Sequence, residues 1–184
     1  MDPAIVLPLA IFVALAALFA VVLRRAGSYL AETRENEGFR RSVADLARRA
    51  EVSLDGVAER IDAVRRHQLP PGDIEPNLAA ARDAVERYLT EAEGIEGGDG
   101  YAAVREGVVA ELERAGRALE MVEHGCRLMA QVRGGYPEAE AQTAIKRGYL
   151  NVLHAREAIT RRAAELAAPL GSAGERWLSL RRRA

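Results

Sequence analysis

Apolar residues follow two patterns along this chain, an unbroken run near the N-terminus and a repeat at helical spacing after it. Residues 4–23 contain no charged side chain, and their number matches the roughly 20 residues that a helix needs to cross the hydrocarbon core of a bilayer. Beyond this run, apolar positions recur every three or four residues with almost no alternation of period two. This pattern predicts an all-α chain, with an N-terminal transmembrane helix followed by an antiparallel four-helix bundle with coiled-coil-like seams.

Gly and Pro clusters at residues 69–73, 94–100 and 134–137 divide the part after the apolar run. Such clusters stop helices. The helices predicted between them are 28–66, 75–93, 101–133 and 138–166, within a bundle domain of residues 28–170. Short turns between them favour an up-down-up-down arrangement, and the first helix could continue from the membrane span.

The seams are the apolar stripes that would pack together in the bundle. The third predicted helix has the most regular one, at Tyr101, Val104, Val108, Leu112, Ala115, Leu119, Val122, Cys126 and Met129. The first helix has Phe39, Val43, Leu46, Ala50, Leu54, Val57, Ile61 and Val64. The second has Leu78, Ala81, Val85, Tyr88 and Leu89, and the fourth has Ile145, Tyr149, Val152, Ile159, Ala163 and Leu166, with Arg156 at one seam position.

Residues 1–25 read as an uncleaved anchor with a basic flank. A cleaved signal peptide would carry basic residues before a shorter apolar run, whereas here Arg24 and Arg25 follow the run and only Asp2 precedes it. Because cytoplasmic flanks collect Arg and Lys, this asymmetry predicts an outside N-terminus. We therefore expect a single-pass protein of the inner (plasma) membrane, with membrane lipid around the anchor and the bundle in the cytoplasm.

The charges after residue 23 balance. The chain has 26 basic and 27 acidic residues and only Asp2 lies within the first 23, so the remainder carries 26 of each sign. This balance argues against a nucleic-acid binder, which shows a basic footprint. The single cysteine, Cys126, excludes an intramolecular disulfide, and its seam position predicts packing in the core as a small apolar residue.

Helical bundles can hold metal ions between inward Glu and His residues. The candidates here are Glu120, Glu123, His124, His154 and Glu157. None forms a Glu-x-x-His pair, and counting from the seams places both His124 and His154 towards solvent. We expect no metal site, no cofactor and no catalytic residues.

The remaining polar candidates do not indicate a specific reaction or ligand. His67 lies beside the Leu-Pro-Pro turn, where a solvated histidine at a helix end is expected. The glycine clusters fit neither a phosphate-binding loop nor a dinucleotide fingerprint. No run of residues carries a transferable family signature.

Residues 73–99 hold eight acids against Arg82 and Arg87: Asp73, Glu75, Asp83, Glu86, Glu91, Glu93, Glu96 and Asp99. The stretch could receive a basic partner, or repel an anionic membrane face and so orient the bundle. A solvated helix face is the simpler interpretation.

The tail, residues 171–184, combines apolar Trp177, Leu178 and Leu180 with basic Arg176 and with Arg181, Arg182 and Arg183. Such a composition is typical of a lipid contact at an anionic surface. A frayed terminus is the equal alternative, because a free helix of this length is unstable.

These features favour a membrane-anchored cytoplasmic helical scaffold without catalytic activity, which binds a protein partner or a second copy of itself. Leu150 and Leu153, apolar and off the main seam, are its predicted contact points. The alternative is a single-pass signalling or sensory component that passes a motion along a continuous first helix. A metal-binding bundle protein is a third and weaker hypothesis.

Overall fold

A computed structural model describes the backbone of residues 3–131 and 136–167, and within these stretches the side chains of residues 19, 35–98, 100–131 and 138–166. Over the described residues the chain is helical and contains no strand, so the prediction of an all-α chain is confirmed there. The α-helices are α1 (Pro3–Arg65), α2 (Glu75–Gly94), α3 (Ala102–Gln131) and α4 (Tyr136–Ala167). Short 3-10 helices, Pro71–Ile74 and Asp99–Tyr101, precede α2 and α3.

The first bundle helix is part of a longer helix, because α1 runs without interruption from Pro3 to Arg65. The sequence pattern predicts the bundle helix from about residue 28 and allows it to continue from the apolar run. Gly27 is the weakest helix former in the junction, and an isolated glycine costs about 1 kcal/mol relative to alanine. That is too little to end a helix of this length.

Contacts divide the chain into two compact units, Met1–Gly38 and Phe39–Ala184. The first unit is helical over its described residues, and its Phe19 side chain is 65% exposed. Among the described residues, no helix is long and apolar enough to cross a membrane. The predicted span, residues 4–23, lies outside the described side chains apart from Phe19.

The second unit is a four-helix bundle in which successive helices run antiparallel. On α1 and α2, Arg49 pairs with Glu91, and Ser53 Oγ lies 2.9 Å from Tyr88 Oη. Residue numbers that rise on one helix therefore fall on its neighbour. On α2 and α3, Arg82 Nη1 donates to Glu123 Oε2 at 3.0 Å.

The ring closes through α4. Gly125 of α3 lies against Ile145, and Gly148 of α4 lies against Val122, so α3 and α4 are also antiparallel. Asp55 of α1 pairs with Arg156 of α4, and the Arg65 guanidinium carbon lies 5.3 Å from the centre of the Tyr149 ring. The described contacts therefore give the predicted up-down-up-down order.

The core contains most of the predicted seam residues. All eight seam positions of α1 from Phe39 to Val64 are buried, as one apolar stripe on a helix requires. Seam residues near the bundle ends, including Tyr101, Met129 and Leu166, are half-buried. The pattern missed a set of buried small residues, which are Ala47, Ala58, Ala84, Ala92, Ala118, Ala141, Ala155 and Ala158.

Candidate functional site

The predicted metal candidates lie on the surface and do not converge. His124, His154, Glu120 and Glu157 are exposed, as the seam count predicted for the two histidines. The remaining candidate, Glu123, is half-buried and accepts the hydrogen bond from Arg82. Within the described residues, no group of three or more His, Cys, Asp or Glu side chains could hold a metal ion.

Cys126 lies in the core at 6% exposure. Burial raises the pKa of its thiol to about 11, and the nearby Glu123 carboxylate adds to that rise. A thiol with this pKa is protonated at neutral pH and is a poor nucleophile. The position agrees with the prediction of core packing.

Arg156, the charged residue on the α4 seam, is half-buried and forms its ion pair with Asp55 of α1. The contact explains how the seam accommodates a guanidinium, because its charge meets the exposed carboxylate of Asp55. Its role in the described structure is therefore structural.

The two apolar contact points predicted on α4 differ in their exposure to solvent. Leu150 is 43% exposed, whereas Leu153 is half-buried and packs against the core. The side chain of Val52 on α1 has a larger exposed fraction than Leu150, at 70%. Val52 was not predictable as a contact point, because a single valine between polar residues carries no periodic pattern.

Val52 stands at the edge of an open groove between α1 and α2, about 490 Å³ in volume. We call this the α1–α2 groove. Its lining from α1 is Val52, Ser53, Gly56, Val57, Glu59 and Arg60, and its lining from α2 is Asn77, Ala80, Ala81 and Ala84.

The groove exists because small residues face each other across two helices that are held together elsewhere. A Cβ atom added at Gly56 would meet nothing within 4 Å, so this stretch of α1 leaves open space. On the opposite wall, Ala80 and Ala84 project only a methyl group. The hydrogen bond from Ser53 to Tyr88 and the ion pair from Arg49 to Glu91 fix the two helices beside the groove.

The lining of the groove combines small side chains with polar ones. Gly56, Ala80, Ala81 and Ala84 present little or no side chain, while Ser53, Glu59, Arg60 and Asn77 offer hydrogen-bonding groups. Sequence reasoning missed the groove, since Gly56 and the alanines resemble ordinary helix fillers.

The acidic stretch of α2 lies mostly in solvent. Asp83, Glu86 and Glu93 are exposed, and Glu91 is engaged by Arg49. Asp99 lies outside the described side chains. A basic partner for this face therefore stays a prediction.

The two predicted membrane-contact sets fall outside the described side chains. These are Arg24 and Arg25 beside the span, and Trp177, Leu178, Leu180, Arg181, Arg182 and Arg183 in the tail. Their assignment rests on the sequence.

In comparisons with known proteins, the chain matches no family model, no curated protein and no solved structure.

Proposed function

We propose that this protein is a membrane-anchored, non-catalytic scaffold that receives a helix of a protein partner in the α1–α2 groove. The observation that carries the docking part of the proposal is the groove itself, with the exposed Val52 at its edge.

The anchor is supported by the sequence of residues 4–23. They are uncharged and belong to a single helix, α1, and at 1.5 Å per residue such a stretch would be about 30 Å long, close to the hydrocarbon thickness of a bilayer. Arg24 and Arg25 directly after it favour a cytoplasmic bundle. Holding the bundle at the membrane would raise its effective concentration for a partner that is also at the membrane.

The groove favours a helix over an extended peptide as its occupant. Both walls are helical, so their backbone groups are already hydrogen-bonded within α1 and α2 and offer no edge for strand addition. Gly56 and Ala80 leave room for close backbone approach, which suits a partner helix with small or apolar residues on one face.

Site-specific photocrosslinking tests the docking proposal on the full chain in its native membrane. A photoreactive residue at Val52 should give one discrete adduct, and the substitution Gly56→Leu should abolish it by filling the groove. The matched control is Gly38→Leu, on the same helix, where an added Cβ also meets nothing within 4 Å. An adduct that persists in the Gly56→Leu variant would remove the groove from the proposal.

The mass of the adduct identifies the class of occupant. A mass of twice the chain would indicate a second copy, whereas any other mass would indicate a different protein. A photoreactive residue at Leu150 tests the alternative contact face on α4. Crosslinks from Leu150 alone would move the docking site from the groove to α4.

One observation favours the signalling alternative, namely that α1 is a single helix containing both the predicted span and the first bundle helix. A helix shared in this way is able to carry a displacement between the two. If the protein signals, inserting Gly-Pro after Arg25 should abolish any cellular response that depends on the full chain, while the crosslink at Val52 remains. A response that is unchanged by the insertion would favour the scaffold.

A further inference from the structure

A second concave feature lies where the C-terminal end of α1 meets α3 and α4. It is a cavity of about 230 Å³ lined by Arg65, His67, Met129, Gln142, Ile145 and Lys146. We call it the basic cavity. It shares no residue with the α1–α2 groove.

The polar lining of the basic cavity carries three basic side chains and one amide. Arg65 brings a guanidinium, Lys146 an ammonium, His67 an imidazole and Gln142 an amide, and no carboxylate of a described residue lines the cavity. Met129 and Ile145 supply an apolar wall. Donors around a space of this kind suit an anionic group attached to a small apolar group.

Arg65 is held in place by neighbours that are not part of the cavity. Its Nη2 lies 2.6 Å from Asp62 Oδ1, its Nε donates to the same oxygen at 3.0 Å, and its guanidinium stacks on Tyr149. Arg66 pairs with Asp62 as well, with Nε at 2.7 Å from Oδ2. Two arginines therefore share the single negative charge of Asp62, and a net positive charge remains beside the cavity.

Lys146 forms no ion pair with a described carboxylate, and it is exposed. Glu138 of α4 accepts a hydrogen bond from Gln142 Nε2 at 3.5 Å and is absent from the described lining of the cavity. Lys146 is also the one lysine among 26 basic residues of the chain. Its ammonium is a compact point charge that can follow a bound anion, unlike the rigid guanidinium fork.

His67 adopts a strained backbone conformation at this site. Its φ is 59°, in the left-handed region that glycine or asparagine normally occupies after a helix. The turn is held by hydrogen bonds from His67 N to Val64 O at 3.0 Å and from Gln68 N to Ala63 O at 2.8 Å. This turn sets the position of the His67 side chain, which lines the cavity.

We propose that the basic cavity binds a phosphate monoester, with the phosphate between Arg65, His67 and Lys146 and the apolar part of the ligand against Met129 and Ile145. The phosphate belongs either to a free metabolite or to a lipid headgroup. The site is independent of the groove, so the two proposals fail or stand separately.

The histidines provide the readout, because His67 lines the cavity while His124 and His154 lie exposed on other helix faces. The full chain in nonionic detergent, labelled at histidine, is titrated with inorganic phosphate and then with phenyl phosphate. The chemical shift of His67 in the NMR spectrum should change and reach saturation, at a lower ligand concentration for phenyl phosphate than for inorganic phosphate. The chemical shifts of His124 and His154 should stay unchanged. A linear shift, or one shared by all three histidines, would overturn the proposal.

Matched charge variants separate the cavity from general attraction. Lys146→Gln should weaken phenyl phosphate binding about tenfold, whereas Arg147→Gln, its exposed neighbour, should change it less than about twofold. Equal effects of the two variants would contradict a built site.

His67→Gly should lose affinity for phenyl phosphate yet raise the melting temperature by a few degrees, because glycine adopts the left-handed backbone conformation without strain. Retained affinity in that variant would remove His67 from the site.

Vesicles distinguish the two sources of phosphate. Phosphatidic acid vesicles that displace phenyl phosphate, with neutral phosphatidylcholine vesicles inactive, would identify a lipid headgroup. If neither kind of vesicle displaces it, the ligand is a free phosphate monoester.

Discussion

Gly148 of α4 lies so close to Val122 of α3 that a Cβ atom on residue 148 would fall 2.5 Å from Val122 Cγ2. The same atom would lie 2.8 Å from the carbonyl oxygen of Ala118. One turn away, Gly125 of α3 stands in the same relation to α4, with an added Cβ 2.9 Å from the carbonyl oxygen of Ala141. The two glycines let the backbones of α3 and α4 approach each other closely along this stretch.

Gly148→Ala should therefore destabilise the bundle. Alanine favours the helix by about 1 kcal/mol, but here the new methyl group meets backbone that can move only if the whole helix shifts. Overpacking of this kind costs typically 1–3 kcal/mol, and we expect the melting temperature by circular dichroism to fall by roughly 3–10 °C.

Gly56→Ala is the control, because its Cβ would enter open space. It should leave the melting temperature unchanged or raise it slightly. Equal effects of the two substitutions would contradict the close approach of α3 and α4.

The glycine pair also illustrates what a sequence can and cannot predict. The seam of α1, including Phe39, Leu46 and Ile61, was predictable because spacing alone assigns a stripe to one face of a helix. Gly125 and Gly148 resembled weak points in otherwise regular helices. Their role depends on which residues of another helix lie opposite, and periodicity within one helix carries no such information.

The same reason applies to the candidate sites. The α1–α2 groove depends on the alignment of Gly56 with Ala80 and Ala84 of a different helix. The basic cavity gathers His67 and Lys146, 79 positions apart in the sequence, at one end of the bundle. Each residue alone had a simple surface interpretation, and their convergence became visible only in the fold.

Cys126 should react slowly with thiol reagents while the bundle is folded. Only thiolate reacts, and a pKa of about 11 instead of 9.0 leaves little of it at pH 8. The difference corresponds to roughly 100-fold less thiolate. Alkylation by iodoacetamide before and after unfolding in urea measures this, and equal rates would contradict burial.

The same shift predicts a loss of stability in alkali. Because the folded pKa of the Cys126 thiol lies above its unfolded value, the favourable contribution is complete below about pH 9 and declines towards pH 11. A Cys126→Ala variant should lose less stability than the parent over this interval. Parallel decline of the two chains would show that the thiol does not contribute.

Arg156→Leu should be neutral or slightly stabilising. The ion pair with Asp55 is substantially exposed, at 30% and 54% of the two side chains, and such pairs contribute about 0–1 kcal/mol. Leucine at this seam position replaces that contribution with apolar burial. The melting temperatures of Arg156→Leu and Val152→Ala are compared with that of the parent chain. Val152 is a buried seam residue, so its truncation should clearly lower the melting temperature and gives the scale for the effect of Arg156→Leu.

Membrane fractionation with protease protection tests the central claim most directly, using the full chain and a chain that lacks residues 1–25. The account predicts that the full chain resists carbonate extraction and that its bundle is shielded from protease added outside, whereas the shortened chain is released from the membrane. Release of the full chain by carbonate, or digestion of its bundle from outside, would contradict the anchor and the cytoplasmic location together.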